Sequence, residues 1–251
     1  MARKPRGKRG VSKKGAEKIA RQVAYKMIPK KVLTQDANDF GVGLINNATP
    51  WLVIKPASID QGFNNFTRMG DQVFIEKTSG YFNLSFHTKC TNRVEVRELV
   101  GFYKGSTDGS DKAAAAFNAT HLATDLPTKM TSWDRDNYYI KHDKKYDLMP
   151  RQVYNAGAGN DINIPNGIWA SKRIPLACHL YRKFRYTNST EGGDDNLAEG
   201  QYATSNEPVG WIPFIALQVR CPDQDFTAGG SGSNPGPYID YQFRTTFKDM
   251  Q

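Results

Sequence analysis

The sequence predicts an all-β protein, a sandwich of two antiparallel sheets behind a basic N-terminal arm. Three observations carry that prediction. Apolar residues alternate with polar ones in several runs of strand length. Long Gly-rich joints separate those runs: "GSTDGSD", "NAGAGND", "TNSTEGGDDNLAEG" and "TAGGSGSNPGP". Net positive charge is confined to one end. Of 34 Lys and Arg side chains, 12 fall in residues 1–31, where Glu17 is the one acid among the 25 of the chain. Residues 1–31 therefore carry a formal +11, and the 22 basic and 24 acidic side chains of residues 32–251 carry −2, for a chain total of +9. A basic arm on a near-neutral body implies one task for each part: residues 1–31 for a polyanion, residues 32–251 for something else.

The arm has two halves. Residues 2–15, "ARKPRGKRGVSKKG", have almost nothing to bury and are expected to stay disordered until a counter-charge arrives. Ala16, Ile19, Ala20, Val23 and Met27 then recur at helical spacing, which predicts a short basic helix over 16–28 that Pro29 stops. The candidate nucleic-acid-binding residues are Arg3, Lys4, Arg6, Lys8, Arg9, Lys13, Lys14, Lys18 and Arg21. Runs of this kind also serve as solubilising tails or nuclear localisation signals, and one segment can do two of these jobs. A membrane-surface helix is a rival reading for Lys18, Arg21 and Lys26, against which stands an apolar side that is small and half Ala.

After a polar connector the period changes to two. "TPWLVIKP" at 49–56 reads as an entry strand between prolines, and in the next run Phe82, Leu84 and Phe86 alternate with Asn83, Ser85 and His87. Val94 and Val96 alternate with Arg93, Glu95 and Arg97 until the pattern slips near Leu99, where a bulge is expected. The Ala-rich stretch 111–124 predicts a turn or two of helix behind Asp111. "WDRDNYYIKHDKKYDL" reads as strand material containing a polar turn.

The clearest strand is "RIPLACHLYRKFRYT". Ile174, Leu176, Cys178, Leu180, Phe184 and Tyr186 share one side, which Arg182 alone interrupts. The other side carries His179, Tyr181, Lys183 and Arg185, a second candidate patch for nucleic acid or for a subunit contact. "GWIPFIALQVRC" is apolar in both phases, as a strand covered on both sides or lying at a subunit contact would be. In the last run Ile239, Tyr241, Phe243 and Phe247 stand against Asp240, Gln242, Arg244 and Lys248. Seven or eight strands with large loops fit a sandwich, with Greek-key or jelly-roll order among the common solutions. Trp51, Trp133 and Trp211 lie near strand ends and read as core or interface.

Catalytic constellations are missing from the sequence, so no enzyme and no cofactor is expected. His87, His121, His142 and His179 have no second His or Cys at metal-ligand spacing, and no nucleophile elbow or phosphate-binding loop is present. The acid pairs Asp134/Asp136, Asp194/Asp195 and Asp223/Asp225 lie in turn-like sequence, where Asp is a good turn former. Cys90, Cys178 and Cys221 read as buried reduced thiols of a chain made in the cytosol. No apolar run approaches membrane-spanning length, and no secretory signal is read at the N-terminus.

The arm, "QGFNNFTRMGDQVFIEK" at 61–77, "YYIKHDKKYDL" at 138–148 and a closing strand ending "FRTTFKD" together resemble the coat proteins of small circular single-stranded DNA viruses, circovirus-like in the broad sense. Their order covers most of the chain. In this sequence the arm uses Lys as readily as Arg, and it includes the amphipathic segment at 16–28. The resemblance implies an eight-stranded jelly roll at 32–251 that assembles into an icosahedral shell of about sixty copies around a single-stranded DNA genome. About sixty arms of +11 would bring roughly 660 positive charges into the shell. It further implies a virion protein present in the host nucleus during assembly, with a nuclear import receptor as a partner and an attachment factor on the host cell that the sequence does not identify. An alternative reading of the same features is a non-assembling nucleic-acid-binding or nuclear shuttle protein with a β-sandwich body. A third is a sugar-binding sandwich with a basic tail.

Overall fold

A computed structural model describes residues 13–37, 48, 50–87, 93–104, 117–149, 168–186, 207–223, 226 and 237–250. Arg3, Lys4, Arg6, Lys8, Arg9, Cys90, Asp111, Asp194, Asp195 and Asp225 lie outside the described residues, as do the Gly-rich joints at 105–111, 155–161, 187–200 and 227–236. The elements run in chain order α1 (Lys13–Met27), β1 (Lys31–Ala37), β2 (Trp51–Ile54), β3 (Gln72–His87) and β4 (Val94–Lys104). They continue with α2 (Ala119–Asp125), β5 (Tyr138–Leu148), β6 (Ile168–Arg185), β7 (Trp211–Arg220) and β8 (Tyr238–Met250).

The strands form two four-stranded antiparallel sheets, ordered β1-β8-β3-β6 and β2-β7-β4-β5. First pairs with last, second with seventh, third with sixth and fourth with fifth. That is the pattern of a long antiparallel ribbon folded at its middle, between β4 and β5, and then wrapped on itself. The β3–β8 and β4–β7 ladders complete the two sheets.

The alternation read from sequence fills the space between the sheets. Phe82 and Leu84 of β3, Val96 and Val100 of β4, Ile215 and Leu217 of β7, and Phe243 and Phe247 of β8 are all buried in one cluster. So are Ile174, Leu176, Cys178, Leu180, Phe184 and Tyr186 along β6. A second cluster covers the opposite face of the β2-β7-β4-β5 sheet, where Leu99, Phe214 and Ala216 meet Phe117, Leu122 and Leu126 of the α2 segment. β7 is thus apolar in both phases because it has a core on each side. Trp51 Nε1 and Gln218 Nε2 both donate to the Leu126 carbonyl, at 3.1 and 3.2 Å, and tie that covering segment to β2 and β7. Fully buried Arg97 grips Asp143 with two bonds of 3.0 and 2.9 Å and donates to the Thr131 carbonyl at 2.8 Å.

Several expectations shift in detail. The polar connector contains a strand, β1, whose inward Leu33 packs on the core while Val32 is exposed. α2 begins at Ala119, capped by Asn118, whose side chain accepts from the backbone N–H groups of Thr120 and His121. The register slip in β4 falls between Val100 and Gly101. The polar turn in the fifth strand run lies at Asp134–Asn137, ahead of β5. α1 starts three residues before the predicted helix, and Lys31, assigned to the arm from sequence, opens β1.

The segment at 61–77 carries a structural staple. Arg68 is fully buried, donates to the carbonyls of Ile59 (3.1 Å) and Gly70 (2.8 Å), and lies 4.2 Å from the Tyr186 ring centroid. Tyr186 donates in turn to the Ala57 carbonyl at 2.8 Å, and its backbone N–H donates to the Asp71 carbonyl. One cation thereby gathers the entry to β3 and the end of β6.

Candidate nucleic-acid interface

α1 lies over the outer face of the β1-β8-β3-β6 sheet, held there at its C-terminal end. The Tyr25 ring meets Phe74 of β3 edge-to-face at 5.1 Å, and Lys248 of β8 donates to the Tyr25 carbonyl at 2.9 Å. Lys30, just beyond the helix, bonds Glu76 of β3 at 2.7 Å. Burial of the phenol and the charge of Glu76 push the Tyr25 pKa up to about 12.

Lys13, Lys14, Lys18 and Lys26 project from this docked helix into solvent. Arg21 lies on α1, and its side chain falls outside the described residues. The helical stripe read from sequence is real in spacing but is not buried: Ile19, Val23 and Met27 are 52%, 52% and 79% exposed. Tyr25, which lies off that stripe, makes the contact with the body. Sequence reading missed it because one aromatic residue between stripe positions gives no periodic signal.

The second patch lies on the same outer sheet face. Strand alternation along β6 points His179, Tyr181, Lys183 and Arg185 outward, and all four are exposed. A register irregularity between Ile75 and Lys77 of β3 faces Leu180–Tyr181 of β6, where Tyr181 adopts φ +43°. A left-handed tyrosine in a strand is uncommon and marks the kink. The Tyr181 ring lies nearly parallel to His179, 9° between planes and 6.0 Å between centroids, with 65% of Tyr181 exposed. This is a two-ring platform flanked by Lys183 and Arg185, a combination suited to stacking bases and holding phosphates.

Cross-strand register sets the charge of this face. The β3 partners of Arg185, Lys183 and His179 are Gln72, Phe74 and Lys77, and none of them is acidic. Further along, Arg173 stacks 3.8 Å from the Tyr81 centroid, and Arg244 of β8 is exposed opposite Ser79. Lys77, Arg173 and Arg244 therefore extend the patch beyond the residues picked from sequence. Register across three strands brings them to one face, and no single run displays that.

Glu76 of β3 is anchored between Lys30 and Lys248 on this face. Among the described residues no group of three or more His, Cys, Asp or Glu side chains is placed to hold a metal ion, and no helix is long and apolar enough to cross a membrane. Cys178 and Cys221 are buried, and burial pushes the Cys178 pKa up to about 11. No protein-family model matches the chain, and no curated protein matches it.

Proposed function

We propose that the protein is a viral capsid protein, circovirus-like in the broad sense, which assembles into an icosahedral shell and packages single-stranded DNA through its basic N-terminal arm. The observation that carries this reading is the coincidence of two features. Strands ordered β1-β8-β3-β6 and β2-β7-β4-β5 follow the wrapped-ribbon order of a jelly roll, a fold much used for shells. A basic segment precedes β1 and displays Lys13, Lys14 and Lys18 to solvent rather than spending them on internal ion pairs.

Phosphate contacts of this kind carry no base information, so packaging by the arm is largely blind to sequence. The shell domain spans 32–251 in this reading, and its long loops make the contacts between about sixty copies. The same arm doubles as the nuclear localisation signal that an import receptor reads, which places assembly in the host nucleus.

The test is a salt titration of binding to a single-stranded oligonucleotide. Each arm cation that meets a phosphate contributes about −0.7 to the slope of log K against log salt. Changing Lys13, Lys14, Lys18 and Arg21 together to Ala in the full chain is expected to reduce the magnitude of that slope by about 3 and to weaken binding at low salt. An unchanged slope would remove the arm from the interface.

A further inference from the structure

Beyond the arm and the outer sheet face, one end of the sandwich holds a cleft of about 510 Å³. It forms where β4 ends, where β5 and β7 begin, and where the far end of β6 approaches from the other sheet. Phe102, Tyr139, Trp133 and Trp211 supply rings to its walls, and Arg135 and Arg182 supply its charges. Tyr138 completes the lining, its hydroxyl held by Asp125 at 2.5 Å.

The two arginines are already laid against rings. The Arg135 guanidinium carbon is 5.6 Å from the Trp133 centroid, and that of Arg182 is 5.8 Å from the Phe102 centroid. Arg182 is the residue that interrupts the apolar side of β6. It pairs in register with inward Ile75 yet is exposed, because at this edge the space between the sheets opens into the cleft. Trp133 and Tyr139 keep surface available, Tyr139 being 57% exposed.

We infer that this cleft binds an unpaired nucleotide, its base stacked on the tryptophan and tyrosine rings and its phosphate held by Arg135 and Arg182. Flat apolar walls with guanidinium edges suit a planar π-system carrying an anionic group. Among the described residues no carboxylate or carboxamide lines the cleft, and those are the groups that normally read sugar hydroxyls. Among the described residues of the lining, two arginines beside five rings are few charges and many ring faces for a sulfated glycan. The inference deepens the single-stranded DNA reading above and rests on it for the source of the nucleotide.

Tetrathymidylate, added to the full-length protein in about 0.5 M salt, tests this, because that salt screens the arm's phosphate contacts while stacking persists. Saturable quenching of tryptophan fluorescence is expected. Arg182→Gln and Trp133→Ala should each weaken it on the order of tenfold. The full chain with Lys13, Lys14, Lys18 and Arg21 replaced by Ala should keep it, so failure of the cleft and failure of the arm give different results. Thymidine monophosphate binding as tightly as the tetranucleotide assigns the cleft to a free nucleotide, and affinity that rises with chain length assigns it to the polymer. Arg182→Gln changes a solvent-facing side chain and gives an answer should Trp133→Ala fold poorly. Absent quenching, quenching indifferent to both substitutions, or displacement of the tetranucleotide by a sulfated disaccharide would overturn the inference.

Discussion

Lys248 and Tyr25 join the basic helix to the sandwich: the lysine donates to the tyrosine carbonyl at 2.9 Å, and its ammonium nitrogen lies 4.3 Å from the tyrosine ring centroid. These residues stand 223 positions apart. The last strand of the body thereby fixes where the C-terminal end of α1 meets the β1-β8-β3-β6 sheet.

Tyr25→Ala removes that cation–ring contact and the edge-to-face pair with Phe74, worth together about 2 kcal/mol, or roughly thirtyfold in the docking equilibrium. Limited proteolysis is expected to cut within α1 much faster in the variant while the body stays intact. Unchanged cleavage would show that the helix is held by other contacts.

The raised Tyr25 pKa gives the docking a pH dependence of definite sign. The phenol ionises near 10 when the helix is free and near 12 when it is docked, so its contribution is fully present below pH 10 and is lost as pH rises toward about 12. Cleavage within α1 should therefore rise over that window in the native protein. Tyr25→Phe, which has no proton to lose, should flatten the rise, and an identical profile in both would refute the assignment.

Arg68 is expected to be a stability residue rather than a DNA contact. Arg68→Leu leaves the buried carbonyl of Ile59 and the half-buried carbonyl of Gly70 without this donor and is expected to cost about 3 kcal/mol, read as a lower denaturation midpoint. Arg68→Lys should rescue little, because an ammonium lacks the planar fork that reaches both carbonyls and stacks on Tyr186.

Gly80 marks a close approach between β3 and β8. A methyl group there would lie 2.0 Å from the Gln242 carbonyl oxygen and 2.6 Å from Phe243 Cα, both backbone atoms of β8. Gly80→Ala is expected to destabilise the protein by roughly 3 kcal/mol, since main chain has to move, and chemical denaturation measures it.

The long strands were legible because their partners impose a strict inside and outside. β6 shows this best, with six apolar residues in phase and all of them buried. β1 was illegible because Leu33 is its one large inward apolar residue, and its place is set by pairing with β8, at partners such as Lys31 with Phe247 that are far apart in the chain. The charge of the arm and the outward row of β6 could be read from the sequence, since both are local patterns. The cleft could not. Phe102, Trp133, Arg182 and Trp211 come from four separate segments that only the wrapped topology brings together, and Trp133 and Trp211, expected at a core or an interface, line it partly buried.

In the proposed capsid role a basic arm condenses a polyanion while the sandwich tiles with copies of itself. Negative-stain electron microscopy of the purified full-length protein with single-stranded DNA tests it most directly. Uniform closed particles that retain nucleic acid are expected; monomers or small oligomers persisting across a range of salt and pH would refute the capsid role.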